Sequence, residues 1–196
     1  MRTLAVLEFV SLDGVIQAPG SDGEDPSGGF DLEGWTVPYF DDELAKTMDK
    51  QMTPPFDLLL GRKTYDIFAS YWPHQEEDPF EASKKYVVSK GEVSTDWNDT
   101  IHIKEDVVSE IEKLKQQDGP VLQVYGSSNL IQTLLANDLV DELWLKIYPV
   151  TLGKGKRLFR EGTIPAAFKL IESKVSPSGV IVASYKRDGE VKLGSY

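Results

Sequence analysis

Apolar residues fall along this chain in short blocks separated by polar punctuation, and the spacing within each block separates strands from helices. Thr3 to Val10 (TLAVLEFV) is almost continuously apolar and stops at SLDG, which predicts an interior strand ending in a turn. Phe56 to Leu60, Lys85 to Ser89 (KYVVS), Thr100 to Ile103 (TIHI) and Val121 to Tyr125 (VLQVY) read as further short strands, and Glu142 to Val150 as a longer one. Helical spacing appears between them. Asp41 or Asp42 can cap a helix carrying Leu44, Met48 and Met52, which Pro54-Pro55 stops. A second helix opens at Arg62, runs to about Tyr71 and ends before Pro73. A third spans Asp106 to Gln117, with Val107, Val108, Ile111 and Leu114 on one face and Asp118-Gly119-Pro120 closing it. A fourth follows Gly126-Ser127-Ser128 and bears Leu130, Ile131, Leu134 and Leu135. Phe168 to Val175 and Val180 to Arg187 flank SPSG as an antiparallel hairpin. Strands alternating with helices and closed by a hairpin predict an α/β fold, a mixed sheet covered by helices on both faces.

Two segments break the pattern. Residues 17–38 hold five Gly and three Pro among Asp22, Glu24, Asp25, Asp31 and Glu33, a long ordered loop of the kind that serves function. EEDPFEAS, at 76–83, reads as an exposed acidic excursion. The remaining composition sets limits. With 196 residues, 40% hydrophobic and 27% charged, the chain suits one domain spanning 1–196. It has no cysteine, which excludes disulfides, thiolate metal sites and a cysteine nucleophile. His74 and His102 are too isolated to suggest a metal site and read as surface or packing residues, so no metal is expected. No apolar stretch approaches membrane-spanning length, and Met1-Arg2 runs straight into the first strand without a signal-peptide core, so a soluble cytoplasmic protein is expected. A net charge of -11 repels nucleic acid and anionic membrane. An anionic ligand therefore needs a local basic pocket, and Arg62, Lys63, Lys154, Lys156 and Arg157 are the places to look.

LLLGRKTY, at 58–65, carries the clearest chemistry. A buried strand stops at Gly61 and a helix begins at once with two cations and a hydroxyl, so unpaired amides, a positive dipole and the donors of Arg62 and Thr64 converge where a phosphate can sit. An ordinary strand-to-helix junction with solvated cations is the plainer reading. The chain has no GxGxxG after its first strand, no P-loop lysine pattern, no GxSxG elbow and no His-Glu metal motif. What it has instead is an ordered set: SLDGVI, LLLGRKTY, YVVS, VYGSSNLIQTLL and LVDELWLKIYPVTLGKGKRLF.

In order and spacing these segments resemble the dihydrofolate reductase superfamily, and within it the branch of the C-terminal reductase domain of the bifunctional riboflavin-biosynthesis protein RibD. The resemblance runs from Leu4 to Tyr185. It implies a dihydrofolate reductase-like three-layer α/β/α fold with a mainly parallel sheet, and NADPH as cofactor. Phe9 matches the position whose backbone holds the nicotinamide carboxamide, and Asp13, Gly14 and Ile16 begin the loop over the nicotinamide. Gly61, Arg62, Lys63 and Thr64 match the adenosine and phosphate segment, with Arg62 aimed at the 2′-phosphate. Ser89 and Lys90 would border the adenine. Gly126, Ser127, Ser128, Asn129 and Leu130 match the turn and helix start that receive the pyrophosphate, although Ser127 stands where dihydrofolate reductases usually show a second glycine. The resemblance also implies a cis Gly126-Ser127 peptide.

For the substrate the implications are thinner. Dihydrofolate reductases place a carboxylate on the helix after the first loop; Asp41, Asp42 and Glu43 lie nearby here, and equally make an ordinary acidic helix start. Trp35 and Tyr39 can stack on a flat heterocycle or form a hydrophobic staple. Lys154, Lys156 and Arg157 can hold a phosphorylated substrate or stand as solvated cations. The reading is a reductase passing a hydride from NADPH to a small heterocycle, by resemblance the ribosylamino-pyrimidine intermediate of riboflavin synthesis. Without cysteine, these residues do not supply the zinc site of the accompanying deaminase domain. A folate or pteridine reductase and a non-catalytic NADPH-binding protein are the alternatives. The apolar excess of Leu143, Trp144, Leu145, Ile147 and Tyr148 predicts a homodimer, and the resemblance implies pairing through this end of the sheet.

Overall fold

The computed structural model describes residues 1–94 and 96–195. The strands are Leu4–Ser11 (β1), Phe56–Gly61 (β2), Lys85–Val88 (β3), Thr100–Ile103 (β4), Val121–Val124 (β5), Glu142–Tyr148 (β6), Phe168–Val175 (β7) and Ile181–Arg187 (β8). They form one eight-stranded sheet in the order β4-β3-β2-β5-β1-β6-β8-β7. The first six strands in that order run parallel, while β8 is antiparallel to β6 and β7 to β8. The helices are Asp42–Gln51 (α1), Arg62–Tyr71 (α2), Val107–Gln116 (α3) and Ser128–Ala136 (α4). This is the expected three-layer arrangement, with each element within a few residues of its sequence-based bounds. No helix among the described residues is long and apolar enough to cross a membrane.

The pleat explains the layers. Leu4, Val6 and Val10 of β1 face one side and join Ile111 and Leu114 of α3 and Leu130, Ile131, Leu134 and Leu135 of α4 in the largest core. On the other side, Leu44 of α1 packs with Trp35 and Tyr148, and Tyr65 of α2 packs with Phe56, Leu58, Leu60 and Phe80. Asp41 caps α1, accepting from the amides of Glu43 and Leu44 at 3.1 and 3.0 Å.

Two expectations need correction. Glu76, Glu77 and Glu81 of the acidic run at 76–83 are exposed as expected, but the run is anchored from within, because Phe80 is buried at 1% exposure, stacks on Phe68 and meets Phe56, Trp72, Trp97 and Tyr125. Asp78 holds this anchor in place, accepting from the Phe80 amide and from Nε1 of Trp97. The apolar excess of β6 also has a different cause. β6 lies inside the sheet between β1 and β8, so both faces are covered and Leu143, Leu145 and Tyr148 are buried within the chain. Exposed apolar residues lie instead on β7 and β8, at Leu170, Ile171, Val175 and Ile181.

Candidate functional site

β1 and β5 are neighbours, yet the chain leaves β1 towards β2 on one side and leaves β5 towards β6 on the other. Such a reversal opens a crevice at the carboxyl ends of the strands, where ligands bind in open α/β sheets. The register shows it directly. β1 pairs with β5 only as far as Val6↔Val124, whereas it follows β6 as far as Ser11↔Tyr148. The second half of β1 thus borders a cleft.

Two helix starts meet at the rim of this cleft. Gly61 donates its amide to the Gly126 carbonyl at 3.2 Å, which brings the first turns of α2 and α4 together. The Gly126-Ser127 peptide is cis, as the resemblance implies. Neither helix is capped by the side chain preceding it, so its first amides remain available. The contact leaves no spare room. A Cβ at Gly61 would lie 2.1 Å from Oγ of Ser127, and one at Gly126 would lie 2.8 Å from Oγ1 of Thr64. Gly126 also has φ +102°, which an L side chain rarely adopts.

Of the expected cofactor residues, those of the two helix starts meet at this junction. Arg62 donates through Nε to both carboxylate oxygens of Asp66 at 2.7 and 2.8 Å, on the surface. By register Gly61 pairs with Val88, which puts Ser89 and Lys90 just past the neighbouring strand end. Ser89 accepts from Nε2 of His102 at 2.8 Å, so His102 is a packing residue while His74 is exposed. At the start of α4 Asn129 is exposed and Ser128 is buried, while the Leu130 side chain belongs to the core and leaves only its backbone for the site. Sequence reasoning missed Arg160, which donates to Oγ of Ser128 at 3.0 Å and Oδ1 of Asn129 at 3.3 Å. It also lines a recess of about 300 Å³ with Gln17, Gly28, Phe30, Lys154, Gly155 and Lys156.

Residues 17–38 fold over the same region, and one carboxylate fastens them. Asp25 accepts from Nζ of Lys63 on α2, and from Nζ of Lys156 at 2.5 Å. The two ammonium groups outweigh the effect of burial and hold the Asp25 carboxyl well below the usual range. Gln17 organises the loop from inside. It donates to the carbonyls of Asp25 and Ser27, accepts from the Lys156 amide, and through its own carbonyl accepts from Nε1 of Trp35. Lys154 donates to the Gly29 carbonyl and pairs with Asp31 at 2.8 Å. Arg157 donates to the Asp13 carbonyl. The Asp13 side chain turns to the loop after β6, taking the amides of Leu152 and Gly153 at 3.1 and 2.8 Å. Burial raises its pKa, but the Ser11 hydroxyl and these amides prevail and hold it at about 2.

The remaining candidates are built into the fold. Trp35 is buried, edge-on to Tyr148 at 5.3 Å, and acts as the staple. Tyr39 is half-buried against the same ring. Asp41 spends its second oxygen on the Ser178 amide at 3.0 Å, and Glu43 pairs with Lys46 and Lys174, while Asp42 is exposed. Phe9 carries Nζ of Lys146 over its ring at 5.1 Å, and Ile16 is buried with its amide on the Lys156 carbonyl. Lys146 is itself buried and donates to Oε1 of Gln51 at 2.6 Å; burial lowers its pKa to about 8, although nearby Glu8 works the other way. Among the described residues, no group of three or more His, Asp or Glu side chains is placed to hold a metal ion.

The sequence matches the RibD C-terminal domain family over residues 2–182. The chain belongs to the RibD C-terminal domain family. It is 34% identical over 140 residues to the uncharacterized protein YyaP of Bacillus subtilis, covering 67% of this chain and 74% of that protein. In structure it is similar to a putative riboflavin biosynthesis protein from Shewanella sp. PV-4, with 24% identity, TM-score 0.67 and coverage of 95% of this chain and 99% of that one. It is also similar to the dihydrofolate reductase of Enterococcus faecalis complexed with NADP(H), with 14% identity, TM-score 0.60 and coverage of 95% and 96%. These two likenesses show that the RibD C-terminal family chain has the dihydrofolate reductase fold.

Proposed function

We propose that the protein is a single-domain, cytoplasmic, NADPH-dependent reductase of small heterocycles, related in activity to the reduction of the ribosylamino-pyrimidine of riboflavin synthesis. The observation that carries this reading is the junction of two uncapped helix starts beside Arg62 and Lys63, at the mouth of the cleft where β1 and β5 part. Two sets of free amides with adjacent cations suit a ligand with several phosphates. Gly61, Arg62, Lys63 and Thr64, with Gly126, Ser127, Ser128, Asn129 and the backbone of Leu130, would hold those phosphates. Phe9 and Ile16 would border the nicotinamide, and Ser89 and Lys90 the adenine. The bound cofactor would supply the hydride, and the protein orients it and excludes water.

Asp41 and Glu43 are already committed to a helix cap, a hairpin and lysines, and Asp42 points to the surface, so none of these three carboxylates favours a pteridine reductase over the pyrimidine reading. Titration with NADPH followed by a substrate screen at the NADPH absorbance band tests the reading. Binding with turnover of a pyrimidine supports it, turnover of a pterin alone favours the folate-type activity, and tight binding without oxidation of NADPH by any pyrimidine, pterin or aldehyde indicates a binding protein.

The loop competes for the same cations. An entering phosphate must take Lys63 and Lys156 from Asp25, and partly exposed pairs of this kind are worth roughly 0.2–1 kcal/mol each. Asp25→Asn is expected to tighten NADPH binding roughly twofold to tenfold. Unchanged or weaker binding in a calorimetric titration would mean that Asp25 does not compete with the ligand.

The exposed apolar residues of β7 and β8 suit pairing with a second copy of the chain, so a homodimer is expected through this edge in place of β6. Sedimentation at micromolar concentration reads it. Ile171→Lys should shift wild-type dimer to monomer, and monomer mass for the wild type would remove the idea.

A further inference from the structure

β6 lies inside the sheet with both faces covered, yet it carries a lysine there. Lys146 is 3% exposed, and its neighbours on the adjoining strands are Phe9 of β1 and Val182 of β8. Its ammonium rests over the Phe9 ring at 5.1 Å and donates to Oε1 of Gln51, at the end of α1, at 2.6 Å. Among the described residues Gln51 is its one acceptor, and Glu8 of β1 is the charge that acts on it. Two of its three N–H groups are unspent. A buried cation in that state is costly, and an apolar side chain of the same length would be cheaper against the same neighbours. The polar contacts continue from it. The Gln51 carbonyl accepts from Nε2 of Gln123 at 2.8 Å, and Oε1 of Gln123 accepts from the Tyr125 hydroxyl at 2.8 Å. Tyr125 follows the last residue of β5 to pair with β1, and Phe9 belongs to the half of β1 that has parted from β5. Lys146, Gln51, Gln123 and Tyr125 therefore link the two walls of the cleft.

We propose that Lys146 is the proton donor of the reduction, and that the group reduced is a carbonyl or imine whose heteroatom faces β6. The inference rests on the reductase reading given above, in which Phe9 borders the nicotinamide and the ammonium on its ring is within reach of the reacting group. The carbonyl or imine carbon receives the hydride, the π electrons of the double bond move to oxygen or nitrogen, and that atom takes a proton from Nζ as an N–H bond of Lys146 breaks. The substrate leaves as an alcohol or amine, and solvent reprotonates the neutral lysine. The carboxylates at the start of α1 do not compete for this role, since Asp41 and Glu43 are spent on a cap, a hairpin and lysines and Asp42 is exposed. Burial, opposed by Glu8, lowers the pKa of Lys146 to about 8, which suits release of a proton near neutrality. The amine must be protonated to act, so activity is lost as pH rises through that value.

The test uses the member of the pyrimidine, pterin and aldehyde screen that the wild type reduces, with NADPH affinity and melting temperature recorded for each variant. Lys146→Met should lower kcat about a hundredfold to ten-thousandfold, leave NADPH affinity unchanged and not lower the melting temperature, because it removes a buried charge. Lys146→Arg keeps the charge but holds its proton too tightly to give it up, and should not restore kcat. Wild-type kcat should fall about tenfold per pH unit above about 8, and the residual activity of Lys146→Met should lack that limb. A Lys146→Met enzyme with the wild-type kcat and pH profile would make Lys146 a packing residue and overturn the proposal. A second measurement needs no substrate. The protein alone is treated with 4-nitrobenzaldehyde and cyanoborohydride, which together convert an amine that the aldehyde can reach into a secondary amine, and the modified lysines are mapped by mass spectrometry. Modification of Lys146 is expected, and modification of surface lysines alone would show that a carbonyl in the cleft does not reach Nζ, which also overturns it. Binding of NADPH without turnover of any compound in the screen would instead sink the reductase reading itself.

Discussion

Replacing Arg62 by alanine is expected to weaken NADPH binding about tenfold to a hundredfold and to leave NADH nearly unchanged. The 2′-phosphate carries close to two negative charges, and a guanidinium at the first turn of a helix can meet it with two parallel, charge-assisted bonds. NADH has no group there to receive them. Arg62 is paired with Asp66 one helical turn away, with both side chains about half exposed. Such a pair contributes little, so the guanidinium can turn to a phosphate at small cost. Titrating both cofactors against wild type and variant separates the roles: equal losses would mean that Arg62 supports α2 and does not read the phosphate.

A larger effect is expected from Gly61→Ala. The added methyl would sit 2.1 Å from Oγ of Ser127 and 2.9 Å from both its Cβ and its backbone nitrogen. The hydroxyl can rotate away, but the peptide nitrogen belongs to the turn that opens α4 and cannot. The backbones must move apart, breaking the bond from the Gly61 amide to the Gly126 carbonyl and separating the two helix starts. Overpacking of this kind costs about 1–3 kcal/mol in stability. NADPH affinity should fall by more than about a hundredfold, since both sets of amides proposed to hold its phosphates are displaced. Denaturant unfolding and cofactor titration measure the two effects. A variant as stable as wild type that binds normally would show that the junction tolerates the opening and is not the phosphate site.

The parts of this structure that rest on local chemistry were legible in the sequence. The stop at Gly61, the cap at Asp41 and the SPSG turn each depend on residues within a few positions of one another, and all three appear where expected. Features that depend on distant partners were not. Asp25 looked like one acidic loop residue among several, and its importance comes from Lys63 and Lys156, far off along the chain. Phe80 was hidden by its acidic neighbours, and only the gap beside Phe68 and Trp97 gives it a burial site. The apolar excess of β6 predicted an interface because strand order across the sheet is a long-range property. Lys146 could have been noticed as the one charge in LWLKIY, an interior strand that has no solvent-facing side.

Asp25 has a consequence for how charge moves when this protein takes up a ligand. A chain with net charge -11 that held bare lysines at its cleft would draw them into ion pairs with solvent salt. Here a counterion is covalently tethered, and the single Asp25 carboxylate shared by Lys63 and Lys156 offsets one of their two charges. On the proposed reading, uptake of a phosphate would therefore be an exchange of one anion for another at the same two cations. Fewer dissolved ions are then released, and the affinity should depend on ionic strength less steeply than the number of basic residues at the cleft would suggest.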